Sequence, residues 1–290
     1  MIIASLENIS DIDFYKTYAN GIVVYTNDFS SFYNKAYDLE EIKEIYEKKD
    51  GLMMFVDVSM MMENKDILNL SKFIDSLKDL DIYYYFSDLG VFQLLKDKGL
   101  GNRGVYNPST LLTNHLDVKF YLDCGMLSCQ VANEIPVSDI EKISKHNSNN
   151  IFFKSFGYHQ MFHSKRNLIS LYKEHKNLDF DIDPMNMFLK EQKRDDLYHI
   201  YQGNHGTLLF RSYVINYIEE ILTINPRYIF LDNIFIDSDT FKSVLKTYSD
   251  FLTNKISIDE ALKNLSNTGL DIQDGFKFND TVYQKEKSNE

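Results

Sequence analysis

The chain has 290 residues, 44% hydrophobic and 26% charged, the balance of a folded globular protein. That excludes a disordered tail protein, a collagen-like repeat and a disulfide scaffold. With 31 Lys and Arg against 43 Asp and Glu the net charge is −12, so a nucleic-acid partner would need a local basic patch or a second, more basic subunit.

The 12 glycines and 4 prolines offer no flexible linker, and one domain is expected over residues 1–283 with a frayed charged tail at 284–290. Cys124 and Cys129 are the two cysteines. A single C-x4-C pair falls short of the four ligands usual for structural zinc or an iron–sulfur cluster, so no metal site is expected and both thiols read as reduced and structural. The opening MIIASLENISDIDFY has no cationic region followed by an apolar run. No window approaches the ~18 apolar residues that span a bilayer. The expectation is a cytoplasmic protein with no membrane contact.

Short apolar runs alternate with amphipathic stretches along the chain. Ile22–Tyr25 reads as a strand, Leu39–Lys48 as a helix, and the apolar run GLMMFVDVS at 51–59 as a strand buried on both faces. Ile67, Leu70, Phe73, Ile74 and Leu77 keep helical spacing. Strands follow at 82–86, 104–107, 128–132 and 150–156, separated by helices at 89–98, 116–124 and 136–144. The last of these strands leads into a His-rich loop. Residues 177–204 break the rhythm, and Leu197–Arg211, folded through GNHG, reads as a β-hairpin. A helix at 212–222, a strand at 227–231 and helices at 238–252 and 258–265 complete the pattern.

Repeated β–α units with buried strands predict an α/β fold with a mainly parallel sheet, closed as a TIM-type barrel with the hairpin inserted. An open doubly wound sheet is the alternative, but its usual Gly-rich phosphate loop is absent from this sequence.

In such a barrel, chemistry collects where strands end. Those ends carry Asp57, Ser59, Ser87, Asp88, Thr110, Asn114, Asn133, Glu134, His159, His163, Asp232 and Asn233. Asp57, Glu134, Asp232, His159 and His163 are the candidate acid–base groups. Short polar residues in these places also cap the following helix, the plainer reading for Ser59, Asp88 and Asp237. The densest stretch is SFGYHQMFHSKRNLIS at 155–170. Lys165 and Arg166 are candidates to hold an anion, such as an RNA phosphate or a small carboxylate, with Tyr158 and Asn114 as further binding candidates. The plainer reading of the cation pair is a solvated surface couple.

The stretch 155–170 resembles the signature of the collagenase-like peptidase family: a His-Gly pair, a Cys, then Ser-Gly-x-Cys-x-x-Ser. Three further blocks agree in order: residues 104–126, VANEIPVSDIEKI at 131–143, and residues 191–216. SKRN in place of Ser-Gly-x-Cys is similar to the short family members that occur beside a longer paralogue in Gram-positive bacteria. The resemblance implies a barrel-like fold and one of two activities. One is peptide hydrolysis. The other is oxygen-independent hydroxylation of RNA or quinone precursors, which for the paired short members means the tRNA wobble uridine.

Cluster-bearing relatives ligate an iron–sulfur cluster through signature cysteines, whose places here hold Gln160 and Asn167. An amide cannot replace a thiolate in that role. Phe156-Gly157 stands for His-Gly, and Asn133 for the Arg preceding the family's Glu. The late Lys-Ile-(Asp/Glu)-Gly motif reads Phe230-Leu231-Asp232-Asn233. The resemblance therefore implies a chain without its own cluster, partnered by the longer paralogue and meeting tRNA through the complex. A peptidase and a catalytically silent binding barrel remain the alternatives.

Overall fold

The computed structural model describes residues 1–193 and 195–279, so the expected tail at 284–290 and the expected domain end at 283 lie outside the described residues. Six parallel strands follow one another in space as in sequence: β1 (Ile2–Ser5), β2 (Gly21–Tyr25), β3 (Met53–Asp57), β4 (Tyr83–Phe86), β5 (Gly104–Tyr106) and β6 (Ser128–Cys129). Between them lie α1 (Ile12–Tyr18), α2 (Leu39–Lys48), α3 (Asn64–Asp75), α4 (Leu89–Asp97) and α5 (His115–Asp123), and α6 (Val137–His146) follows β6. Then come β7 (Phe152–Ser164), α7 (Leu168–Lys176), β8 (Phe188–Lys190), β9 (Leu197–Gly203), β10 (Gly206–Asn216), α8 (Ile221–Ile224), β11 (Tyr228–Leu231), α9 (Ser238–Leu252), α10 (Ile258–Ser266) and β12 (Ile272–Gln273).

β11 pairs in parallel with β1 on one side and β7 on the other. The ring closes where Gln130 bridges Phe152 and the Val131 N–H reaches the Phe152 carbonyl at 3.3 Å. Eight parallel strands thus form a closed barrel, as the β–α alternation predicts.

Side-chain alternation sorts each strand into two sets. Ile3, Val23, Phe55, Tyr85, Val105, Phe152, Tyr228 and Phe230 fill the interior. Ile22, Val24, Met54, Val56, Tyr84, Phe86, Ile229 and Leu231 face outward against the helices. Both sets are buried, which is why the strands read as unbroken apolar runs.

Two expectations are corrected. The His-rich stretch is strand, not loop: β7 runs on to Ser164 because its outer half pairs antiparallel with β10. The helix expected over Ser212–Leu222 does not form. β10 continues to Asn216, with Val214 and Ile215 held between β7 and β12, and helix is confined to Ile221–Ile224. Ladder pairing to two neighbours outweighs a weak local helical pattern there. β1 and α1 are additional elements without a forecast.

β7 leaves the barrel through a bulge. Lys154 pairs with Phe230 and Phe156 with Leu231, so Ser155 is the extra residue. Gly157 follows at φ +128, with the Asp232 carbonyl only 2.8 Å from where a Cβ would stand. Gly157→Ala is expected to lose about 1–3 kcal/mol of stability in urea unfolding, because an L side chain is strained at that φ.

Candidate functional site

The strand alternation that fills the barrel with apolar rings places a polar layer at the strands' C-terminal ends. Ser5, Tyr25, Asp57, Tyr85, Lys154 and Asp232 continue the inward-facing sets of their strands, and Gln130 lies just beyond β6. All seven are buried.

Lys154 Nζ donates to Asp232 Oδ2 at 2.6 Å and to the Tyr158 carbonyl at 2.6 Å. The Tyr25 hydroxyl lies 3.1 Å from both Ser5 Oγ and Asp232 Oδ1, and Ser5 Oγ donates to that same carboxylate oxygen at 3.2 Å. Asp232 is therefore surrounded by donors. Tyr85 donates to Gln130 Oε1 at 2.5 Å. Burial, reinforced by the Asp232 and Asp57 carboxylates, raises the Tyr25 and Tyr85 phenols well above their ordinary range and keeps them protonated.

Asp57 behaves differently. Its Oδ1 accepts from the Ser59 hydroxyl at 2.8 Å and the Ser59 N–H at 3.2 Å. No cation is paired with it among the described residues, and burial pushes the carboxyl up to about 7. It can therefore give or take a proton near neutrality.

Above this layer opens a cavity of about 320 Å³, walled by Tyr106 at the end of β5, by Pro108, Thr110 and Met61 on the loops and by His159, Gln160 and His163 on β7. His159 is 6% exposed, and neither ring nitrogen has a hydrogen-bond partner. Burial, with Lys154 and Arg211 nearby, holds its pKa well below the ordinary histidine value. It presents a neutral imidazole with one donor and one acceptor to spare. His163, also lowered by burial, sits nearer the opening.

The structure thus gathers Asp57, Asp232, Glu134, His159 and His163 around one cavity. Glu134 is at the exposed rim, 3.8 Å from Arg211. Four other candidates stand elsewhere. Asn114 caps α5, accepting from the Leu116 and Asp117 N–H groups. The Tyr158 ring packs against His199 and Phe235. Lys165 is bound to Glu63 at 2.9 Å, Asp66 at 3.5 Å and the Met61 carbonyl at 3.1 Å, which occupies it as an anion ligand. Arg166 is exposed and outside the cavity wall. Asp88 and Asp237 are helix caps, whereas Ser59 turns back to Asp57.

Sequence reasoning missed Lys154, Tyr25 and Tyr85. Lys154 had a visible signal, a single cation in the apolar run IFFKSF.

The cysteines do not fit a cluster site. Cys129 points outward from β6 into the layer beneath the helices, where burial lifts its thiol to about 12, and Cys124 packs against that layer. Gln160 lines the cavity and Asn167 directly precedes α7. Among the described residues no three His, Cys, Asp or Glu side chains are grouped to hold a metal ion. No helix among them is long and apolar enough to cross a membrane.

The sequence profile of Peptidase family U32 matches residues 13–281, nearly the whole chain. The chain belongs to Peptidase family U32. Among curated relatives of this U32 chain, tRNA hydroxylation protein P2 of Bacillus subtilis (strain 168) is 22% identical over 254 residues, covering 81% of this chain and 82% of that protein. A solved U32 peptidase superposes with a TM-score of 0.49 at 13% identity, over 80% of this chain and 91% of that one. N-(5′-phosphoribosyl)anthranilate isomerase from Pyrococcus furiosus gives 0.46 at 10% identity, over 92% and 98%. The strand pairing, not these likenesses, carries the barrel assignment.

Two measurements check the site's electrostatics. Lys154→Met strands a buried carboxylate and is expected to cost about 3–5 kcal/mol in urea unfolding, whereas adding Asp232→Leu recovers much of the loss. Asp57 holds its proton longer when folded than when unfolded. Between roughly pH 4 and 7 it therefore lowers stability as pH rises, by at most about 1.4 kcal/mol per pH unit. His159 acts in the opposite sense, costing stability as pH falls below its ordinary value. Asp57→Asn is expected to flatten the decline toward neutral pH and leave the acid limb in place, read from denaturation curves across that range.

Proposed function

We infer that this chain is a component of tRNA hydroxylation, acting on the wobble uridine as the cluster-free member of a pair with a longer paralogue. The match to the tRNA hydroxylation protein of Bacillus subtilis over most of both chains carries this reading. Three features support it. Amides stand where cluster-bearing relatives have cysteines, and both thiols lie outside the cavity wall. The net charge of −12 suits a cytoplasmic subunit that meets RNA through a more basic partner. The cavity offers polar groups able to hold and orient a bound group: the unpartnered His159 imidazole, and Asp57, which no cation neutralises among the described residues.

Peptide hydrolysis takes its support from the family's description. The geometry favours it less. The Ser59 hydroxyl is bound to Asp57, and His159 has no hydroxyl or thiol partner to activate. In the native cell, deleting the gene is expected to remove most of the hydroxylated wobble uridine from total tRNA, measured by nucleoside mass spectrometry. A plasmid copy restores it, and one carrying Asp57→Asn with His159→Ala does not. Unchanged nucleosides after deletion overturn the reading. Gelatin cleavage by the pure protein, lost in His159→Ala, would replace it with the peptidase.

A further inference from the structure

The pairing of β7 with β10 falls into two parts. The inner part joins Phe156, Gly157 and Tyr158 to Asn216, Ile215 and Val214, and the outer part joins Phe162, His163 and Ser164 to Leu209, Leu208 and Thr207. Between them only Gln160 and Phe210 are in register, with Met161 extra on one strand and residues 211–213 of the other set against His159 alone. Two adjacent irregularities of this kind articulate a ribbon.

The outer part forms one body with α7. Thr207 Oγ1 bonds the Arg166 carbonyl and the Leu168 N–H, and Gln202 Oε1 accepts from the Ile169 N–H. This body borders the cavity through His163, with Gln160 at the articulation lining it as well. Its two edges are held differently. On the α2 side it has an apolar seat, with Phe210 against Phe32 at 5.0 Å and Tyr201 near Tyr33 at 6.5 Å. On the α3 side Lys165 provides a polar tie to Glu63, Asp66 and the Met61 carbonyl, beside the cavity-lining Met61.

We propose that the outer β7–β10 ribbon is a strap over the cavity, pivoting on its bulges and aromatic seat and released on the α3 side by the Lys165 clasp. The proposal rests on the cavity being the functional site, and goes beyond it by stating how that site is closed. The buried aromatic seat holds the strap at its pivot, whereas a half-exposed ionic clasp opens at little cost and is weakened by salt.

The test needs neither tRNA nor activity, so its failure is distinct from failure of the functional reading. Diethyl pyrocarbonate ethoxyformylates neutral imidazoles, and residue-resolved mass spectrometry gives each rate in the folded protein. His159 is expected to react far more slowly than exposed His175 on α7. Lys165→Met, and separately Glu63→Gln with Asp66→Asn, are each expected to speed His159 labelling about threefold to fivefold, the factor set by losing an exposed ion pair. His175 stays unchanged. Salt at about 1 M, where screening acts within about 3 Å, is expected to speed the wild type and leave Lys165→Met unaffected. Equal His159 rates in wild type and both variants overturn the proposal. So does acceleration in the Lys165 variant alone, or equal acceleration of His175.

Discussion

The buried pair between Lys154 and Asp232 fixes how the rest of the molecule is arranged around its cavity. Burying both charges is tolerable because hydrogen bonds serve each: Ser5, Tyr25 and the Ile234 N–H for the carboxylate, the Tyr158 carbonyl for the ammonium. Lys154 reaches Tyr158 because β7 bulges at Ser155 and passes close to the Asp232 backbone at Gly157. The same close approach turns β7 out of the barrel and into the ribbon that roofs the cavity. The pair, the bulge and the ribbon are one structural solution.

That solution gives the cavity floor a particular electrostatic character. Lys154 is neutralised at 2.6 Å, the phenols stay protonated, and Asp57 is poised near neutrality. His159 is neutral and without a partner. The site therefore offers directional hydrogen bonds and a proton of moderate acidity rather than a strong field. Such a floor suits holding and orienting a bound group rather than binding it by charge.

The cation pair at 165–166 shows why charge in a sequence is weak information about binding. Lys165 and Arg166 stand out in an acidic chain, yet their fates diverge. Lys165 meets two carboxylates at the start of α3, roughly a hundred residues away, while Arg166 is exposed. Only the approach of the end of β7 to the start of α3 decides this, and nothing local encodes it.

By itself the sequence determined the alternation of strands and helices, because strands buried on both faces must be apolar throughout and their helices must keep a 3.6-residue period. It also marked Asp57 and Asp232 as strand ends, since each closes an apolar run, although only the barrel decided that both face inward. Tertiary structure decided the rest. Whether 212–222 became helix or strand depended on β7 and β12 lying on either side of β10. Whether Lys154 was a surface residue or the centre of the floor depended on a carboxylate 78 positions away. His159, in a stretch legible only as His-rich, became a buried and unpartnered imidazole because a bulge and an antiparallel ribbon carried it over the barrel's mouth. Local pattern sets which elements form, while long-range pairing sets what each polar side chain faces once they have formed.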